Sequence, residues 1–444
     1  MKLWDKGYDT DKFVEEFTVG KDRELDLMLA KWDVIGNIAH LKMLNSIGML
    51  SKQEADALET ALKEIYASIN NNNFSLDEGI EDIHSQVEYL LTLKCGETGK
   101  KIHTGRSRND QVLTDLKLFA RSEIYRISIL VEQLFNLLLN KAEDNKDVIM
   151  PGYTHLQVAM PSSFGLWFSA YAESLADDML QLHAAHLLVN TNTLGSGAGY
   201  GSSLPLNRLL TTELLAFDDL AYNSVYAQMQ RGKMEKNVLF ALATVASTIG
   251  KMAADICLYA SANFDFLKLP DRYTTGSSIM PHKKNPDIYE LIRAKCNRLQ
   301  ALPAEISMIV TNLTSGYFRD MQLTKEIFLP AFKELSDCLS MMIVSLPEIE
   351  INKNILQNPI YKYLFTVEDV NEMVSAGMPF REAYKVVGMK VQRSEYNSTT
   401  DRKLNHTHEG SIGNLCLDEI RAKFARHKWD FSKIQEAEKK LLES

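Results

Sequence analysis

Apolar residues recur along this chain in steps of three and four over long stretches. From Leu113, positions Leu116, Ala120, Ile124, Ile127, Val131, Leu134 and Leu138 follow that rhythm, which places them on one face of an α-helix. The spacing predicts a helix from about Asp110 to Lys141, ~45–50 Å long. A second helix is expected after Pro161-Ser162-Ser163, a good start signal, running to about Val189. A third covers roughly Lys233–Asn263. A fourth opens at Asn285-Pro286, a cap followed by proline at the first helical position, and reaches about Asn312 with a kink expected at Pro303. A fifth spans roughly Lys325–Leu346. Period-two alternation with hairpin turns is almost absent, so strands are not expected.

Helices of roughly 20–30 residues are far longer than the ~11-residue globular mean and suit a bundle. In the third, Val238-Leu-Phe-Ala-Leu-Ala243 runs without a polar break, an apolar surface wide enough to be buried between subunits. Shorter helical segments precede residue 105, and the text changes again after Pro347. The expected fold is all-α: a long-helix bundle, residues 106–355, between an N-terminal helical domain, 1–105, and a small C-terminal helical domain, 356–444.

Composition narrows the function classes. Of 444 residues, 45% are hydrophobic and 24% charged, which excludes wholesale disorder. A net charge of −9 argues against nucleic-acid coating or membrane-surface binding, although a local cationic pocket for an anionic substrate remains compatible. The first residues hold no apolar core of a secretory signal, and Val238–Gly250 falls short of the ~18–20 residues of a membrane span. Five cysteines, none in a CxxC, point to free thiols in a reducing cytoplasm rather than disulfides or zinc.

Three polar segments interrupt the helices. His103-Thr-Gly-Arg-Ser-Arg-Asn-Asp-Gln111 brings arginines and hydroxyls to a helix N-terminus, an anion site by chemistry; taken alone it also reads as a capped, solvated helix start. Pro151-Gly-Tyr-Thr-His-Leu-Gln157 reads as a loop with one histidine, catalytic or structural. Gly276-Ser-Ser-Ile-Met-Pro-His-Lys-Lys-Asn-Pro286 is the most specific. Its serines, lysines and asparagine suit a site that removes a proton beside a carboxylate and stabilises the dianion. Gly195-Ser-Gly-Ala-Gly-Tyr-Gly201 fails the dinucleotide-binding spacing and reads as a flexible link between helices. His183 and His186, or His406 and His408, lack a third ligand for a metal.

GSSIMPHKKNP resembles the signature loop of the fumarase/aspartase superfamily, and HTGRSRNDQV with GYTHLQ resembles its argininosuccinate lyase branch, which includes δ-crystallin. The likeness runs from Lys2-Leu-Trp4 to Gly377-Met-Pro-Phe-Arg381. It implies a homotetramer splitting argininosuccinate into arginine and fumarate in arginine biosynthesis, without cofactor or metal. Helix length adds that active sites are shared between subunits, since a straight helix of roughly 32 residues holds the 104–109 and 152–157 motifs ~45 Å apart in one chain. By the motifs, Ser277 is the base that takes the Cβ proton, and Lys283 and Asn285 stabilise the aci-carboxylate. His155, paired with Glu290, orders the site. Asp26, His84, Thr104, Arg108, Asn109, Thr154, Tyr317, Gln322 and Lys325 are implied to hold substrate.

The sequence departs from the pattern in three places. Gln157 is followed by Val158-Ala-Met160-Pro161 in place of Ala-Gln-Pro, and Asp5-Lys6-Gly7 follow Trp4. Asp22 also stands four residues before Asp26, where the family favours serine. Two other readings stay open at this point: a sister lyase of the adenylosuccinate lyase or aspartase type, and a non-enzymatic crystallin-like scaffold.

Overall fold

The computed structural model describes residues 12–397, 402 and 404–443; Lys2-Leu-Trp4 and Asp5-Lys6-Gly7 lie outside them. The fold is all-α, as the periodicity predicts. After the short helical segments Lys12–Val19 and Asp22–Asp26 come three longer helices: α1 (Ala30–Ser46), α2 (Lys52–Asn70) and α3 (Ile83–Cys95). α2 opens on a reciprocal cap in which Ser51 Oγ accepts from Glu54 N–H at 3.3 Å and the Glu54 carboxylate accepts from Ser51 N–H at 2.9 Å. α1 packs between α2 and α4 (Arg108–Asp144). It is buried nearly all round, including the polar Asp33, Asn37 and His40.

α4 is an unbroken helix of 37 residues, about 55 Å long. Leu113, Leu116, Ala120, Ile124, Ile127, Val131, Leu134 and Leu138 are all fully buried, each buried leucine worth about 2 kcal/mol of transfer free energy. The other long helices are α5 (Phe164–Val189), α6 (Lys233–Tyr259), α7 (Asp287–Val310) and α8 (Thr324–Ser345). α4 packs on α5 and α8, and α6 packs on α5, α7 and α8. Ser163 caps α5 by accepting from Leu166 N–H at 3.0 Å. Among the described residues, α6 is long and apolar enough to cross a bilayer, longer than the sequence stretch Val238–Gly250 indicates. Its apolar window is 67% buried inside the fold, where it acts as a core helix.

Two expectations are corrected. Pro151–Gln157 is not simply a loop: β1 (Ile149–Thr154) and β2 (Gln157–Ser163) form an antiparallel hairpin. Pro151 and Pro161 pair across it, and proline is a residue type that strands hold mainly at edges and bulges. The fourth helix starts at Asp287, with Pro286 at the cap position. Asn285 does not cap it but turns back onto Thr275. Pro303 lies within α7.

Beyond the bundle, α9 (Thr366–Ser375) and α10 (Phe380–Gln392) share a small apolar cluster of Val370, Ala383, Val387 and Tyr396. α11 (Leu417–Ala425) returns to α5, and α12 (Ser432–Glu443) returns to α1. His183 and His186 stack on Trp429, with ring centroids 5.2 and 5.1 Å away. Their role here is packing.

Candidate active site

A cleft of about 480 Å³ opens at the amino end of α4. The short helical turn Asp22–Asp26 supplies Asp22 and Asp26, α3 supplies His84 and Ser85, and the first turn of α4 supplies Arg108 and Asn109. The segment before and within α8 adds Tyr317, Arg319, Gln322 and Lys325. These segments are distant in sequence and are joined by the packing of α1, α3, α4 and α8.

Lys325 organises one wall. Its Nζ lies 2.8 Å from Asp22 Oδ1 and 2.7 Å from Asp26 Oδ1, with Lys325 5% and Asp26 1% exposed. Two carboxylates one helical turn apart also fit a solvated helix face, and the packing overturns that reading. Burial pushes the Asp22 carboxyl up to about 6, against the pull of Lys325. Burial raises Asp26 as well. One ammonium is shared by two carboxyl groups, so this wall is rich in hydrogen-bond acceptors.

On the opposite wall, Arg108 Nη2 donates to Ser85 Oγ at 2.9 Å, and Nη1 sits 3.6 Å from Asp82. Ser107 caps α4, and Asp110 returns the bond by accepting from Ser107 N–H at 2.9 Å. The other Asp110 oxygen accepts from Gly195 and Gly197 N–H, both at 2.9 Å. Gly195 and Gly197 take φ of +83° and +62°, a conformation glycine adopts cheaply. The segment 195–201 is therefore a pinned turn against the start of α4 rather than a flexible link. Burial raises Asp110 to about 6.

Seven of the nine candidate binding residues line this cleft; Thr104 and Thr154 do not. The Thr104 carbonyl is 2.9 Å from His40 Nε2, just upstream. Thr154 ends β1 at the hairpin tip, beyond the far end of α4. The two tip residues, His155 and Leu156, have φ of +54° and +56°, a two-residue turn of the type that favours Asn-Gly. Each non-glycine residue there costs on the order of 1 kcal/mol. Both side chains are exposed, so local strain holds a histidine out from the chain.

Ser277, Lys283 and Asn285 lie together on a third element, also outside the cleft. Thr275 and Asn285 pair their backbones, with N–H···O distances of 3.2 and 2.8 Å, and close the loop 276–284 at its neck. Asn285 Nδ2 donates to Thr275 Oγ1 at 3.3 Å and to the Gly276 carbonyl at 3.4 Å. Ser277 Oγ accepts from the N–H groups of Ile279 and Met280 at 3.3 and 3.2 Å. Lys284 is paired with Asp271, whereas Lys283 has no ion-pair partner among the described residues. Glu290, in the first turn of α7, is exposed. No ion pair or hydrogen bond joins it to His155 among the described residues. One chain thus carries three separate groups of candidate residues.

The cleft also holds charged residues that the motifs did not single out. Arg231 is buried, with Nε 3.0 Å from Glu235 Oε1 and Nη2 donating to the Met321 carbonyl at 2.9 Å. Arg319 donates to the Thr18 carbonyl at 2.8 Å. Neither stands in a recognisable spacing, and only tertiary packing brings them to the cleft.

Comparison with known proteins places the chain in a family. Residues 6–301 match the family described as Lyase. An argininosuccinate lyase of Bacteroides fragilis is 60% identical over 444 residues, covering 100% of this chain and 99% of the relative. One from Bacteroides thetaiotaomicron is 59% identical with the same coverage. Among solved structures, EDDS lyase in complex with formate superposes with a TM-score of 0.76 at 20% identity, covering 98% of this chain and 94% of that one, a likeness of fold. With full-length identity at this level and the motifs in place, the chain belongs to the argininosuccinate lyase family.

Proposed function

We propose that the protein cleaves argininosuccinate by β-elimination to L-arginine and fumarate, in arginine biosynthesis, as a cytoplasmic homotetramer whose sites are shared between subunits. The observation that carries this is the cleft at the start of α4, where Asp26, His84, Arg108, Asn109, Tyr317, Gln322 and Lys325 converge. Arginines and amides suit a substrate with several carboxylates, and the carboxyl-rich wall around Lys325 suits its basic end. The chain's resemblance at 57–60% identity to five argininosuccinate lyases supports the same reading.

In this mechanism Ser277 removes the Cβ proton. Its Oγ already accepts two backbone N–H bonds, which favour the alkoxide over the hydroxyl. Lys283 and Asn285 balance the second negative charge that forms on the carboxylate beside that carbon. His155, ordered by Glu290 of another subunit, assists proton transfer to the departing guanidine, and Thr104 and Thr154 complete the substrate contacts. The C–N bond then breaks, giving fumarate and arginine. No metal or cofactor enters these steps. Cytoplasmic placement is supported by five free thiols.

Exposed apolar side chains on the bundle, among them Leu187, Phe240, Leu291, Met308 and Val344, support assembly through the long helices. The division near residues 105 and 355 goes with this reading, the separate small cluster of α9 and α10 supporting the second boundary.

The direct test is a substrate panel followed by fumarate absorbance. Argininosuccinate is expected to yield fumarate, while adenylosuccinate and aspartate yield none. Fumarate from another succinyl-amine, or none from the folded oligomer, would overturn the proposal in favour of a sister lyase or a scaffold.

Asp26→Asn is expected to raise KM for argininosuccinate about tenfold, the scale of one charged hydrogen bond. Inhibition by fumarate should change much less, because Asp22 and Asp26 face the leaving-group half. Equal changes in both would count against that assignment.

A further inference from the structure

Behind His84 lies a buried carboxyl pair that the elimination does not use. Asp33 on α1 and Asp115 on α4 are each 1% exposed. Asp33 Oδ1 is 2.8 Å from His84 Nδ1 and accepts from Gln111 Nε2 at 2.6 Å, while Asp33 Oδ2 accepts from Asn37 Nδ2 at 2.9 Å. Asp115 Oδ2 is 3.5 Å from the same His84 nitrogen.

Two carboxyl groups packed together away from water do not both ionise readily. Burial, and then the charge of Asp33, hold Asp115 well above the carboxylate range. Burial raises Asp33 too, but Arg106 and the Gln111 amide favour its charged form. Of the two, Asp115 holds a proton more tightly, and Asp33, with hydrogen-bond donors on both oxygens, is the one built to be the carboxylate.

A carboxylate with amide donors on both oxygens only accepts. It accepts from His84 Nδ1–H, so that in the neutral imidazole the lone pair lies on Nε2. That Nε2 is buried and has no partner, while the histidine lines the cleft. We infer that Asp33 is a positioning residue for substrate recognition, fixing His84 so that Nε2 presents a hydrogen-bond acceptor to a donor-rich nitrogen group of the substrate. This deepens the function proposed above and rests on it for the identity of that group. It also makes His84 a reader of the cationic half, since an acceptor does not bind a carboxylate.

Neutron diffraction from deuterium-exchanged crystals of the wild-type protein tests the assignment without any substitution. Deuterons are expected on His84 Nδ1 and on one Asp115 oxygen, with none on His84 Nε2. A deuteron on Nε2 would overturn the inference, and so would a metal ion bridging Asp33, His84 and Asp115.

Kinetics supply the second arm. Asp33→Asn and His84→Asn should each raise KM for argininosuccinate about tenfold, with kcat within about twofold and fumarate inhibition unchanged. The double variant should be no worse than either single one, because both remove the same contact. Additive losses, or an unchanged KM in both single variants, would refute the role of Asp33. If Asp33→Asn does not fold, His84→Asn and the proton positions still decide. Should the wild-type enzyme make no fumarate from argininosuccinate, the proposed activity fails, while the neutron result judges the His84 arrangement separately.

Discussion

Ser277→Ala is expected to lower kcat by about 10²–10⁴-fold, the range associated with losing a general base, while leaving folding and KM for argininosuccinate nearly intact. Ser277 is only partly buried on an exposed loop, so its removal leaves no core cavity. Its hydroxyl receives two backbone N–H bonds, and these are the only contacts its loss releases among those described. In the proposed mechanism the consequence follows from the proton: without that oxygen the assigned base is gone, whereas Lys283 and Asn285 would still attract the carboxylate. Steady-state kinetics with a thermal melt check this. A variant keeping about half of wild-type kcat would remove Ser277 from the mechanism, since a group acting only in the transition state has to register in kcat.

The second large effect is rescue. Arg108→Ala and His155→Ala are each expected to be inactive alone. Co-refolded in equal amounts, they should recover roughly a quarter of wild-type activity, one half times one half, if each site draws the two motifs from different chains. The reason is the helix between them. α4 runs from Arg108 to Asp144 without interruption, which holds its two ends about 55 Å apart. Arg108 lies at its first turn, and the hairpin bearing His155 begins just past its last. A substrate-sized site needs both groups within ~10 Å, and one rigid chain does not provide that. Mixed oligomers, verified by mass, that show no recovery would mean that the motifs do not act from separate chains.

Much of this was legible in the sequence because long amphipathic helices advertise themselves. The eight apolar positions from Leu113 to Leu138 repeat often enough to outweigh any single residue, and all are buried. The hairpin was not legible. Its strands contain Pro151 and Pro161, and its turn is His-Leu instead of Asn-Gly, so tertiary context overrode every local signal. The candidate residues of the cleft could be named through the family resemblance, yet the state of Lys325 could not. It is clamped by Asp22 and Asp26, some 300 positions earlier in the chain, and no local pattern encodes such a pair. The Asp33–His84–Asp115 group was hidden for the same reason. Read locally, Asp33 and Asp115 are polar positions on helices, and only the packing of α1 against α4 shows that neither reaches water.

The unbroken length of α4 also governs which changes in chain length the fold can absorb. One inserted residue advances everything beyond it by about 1.5 Å and turns it through about 100°. An insertion after Ala120 would therefore swing Ile124, Ile127 and Val131 off the buried stripe. Two or three insertions do not simply undo this, because the axial offset keeps growing. The exposed turn at 155–156 and the loop 276–284 have no such phase to lose. The helix phase would survive a change of length in either segment, although both carry residues of the proposed mechanism, and α4 behaves as a part of fixed gauge.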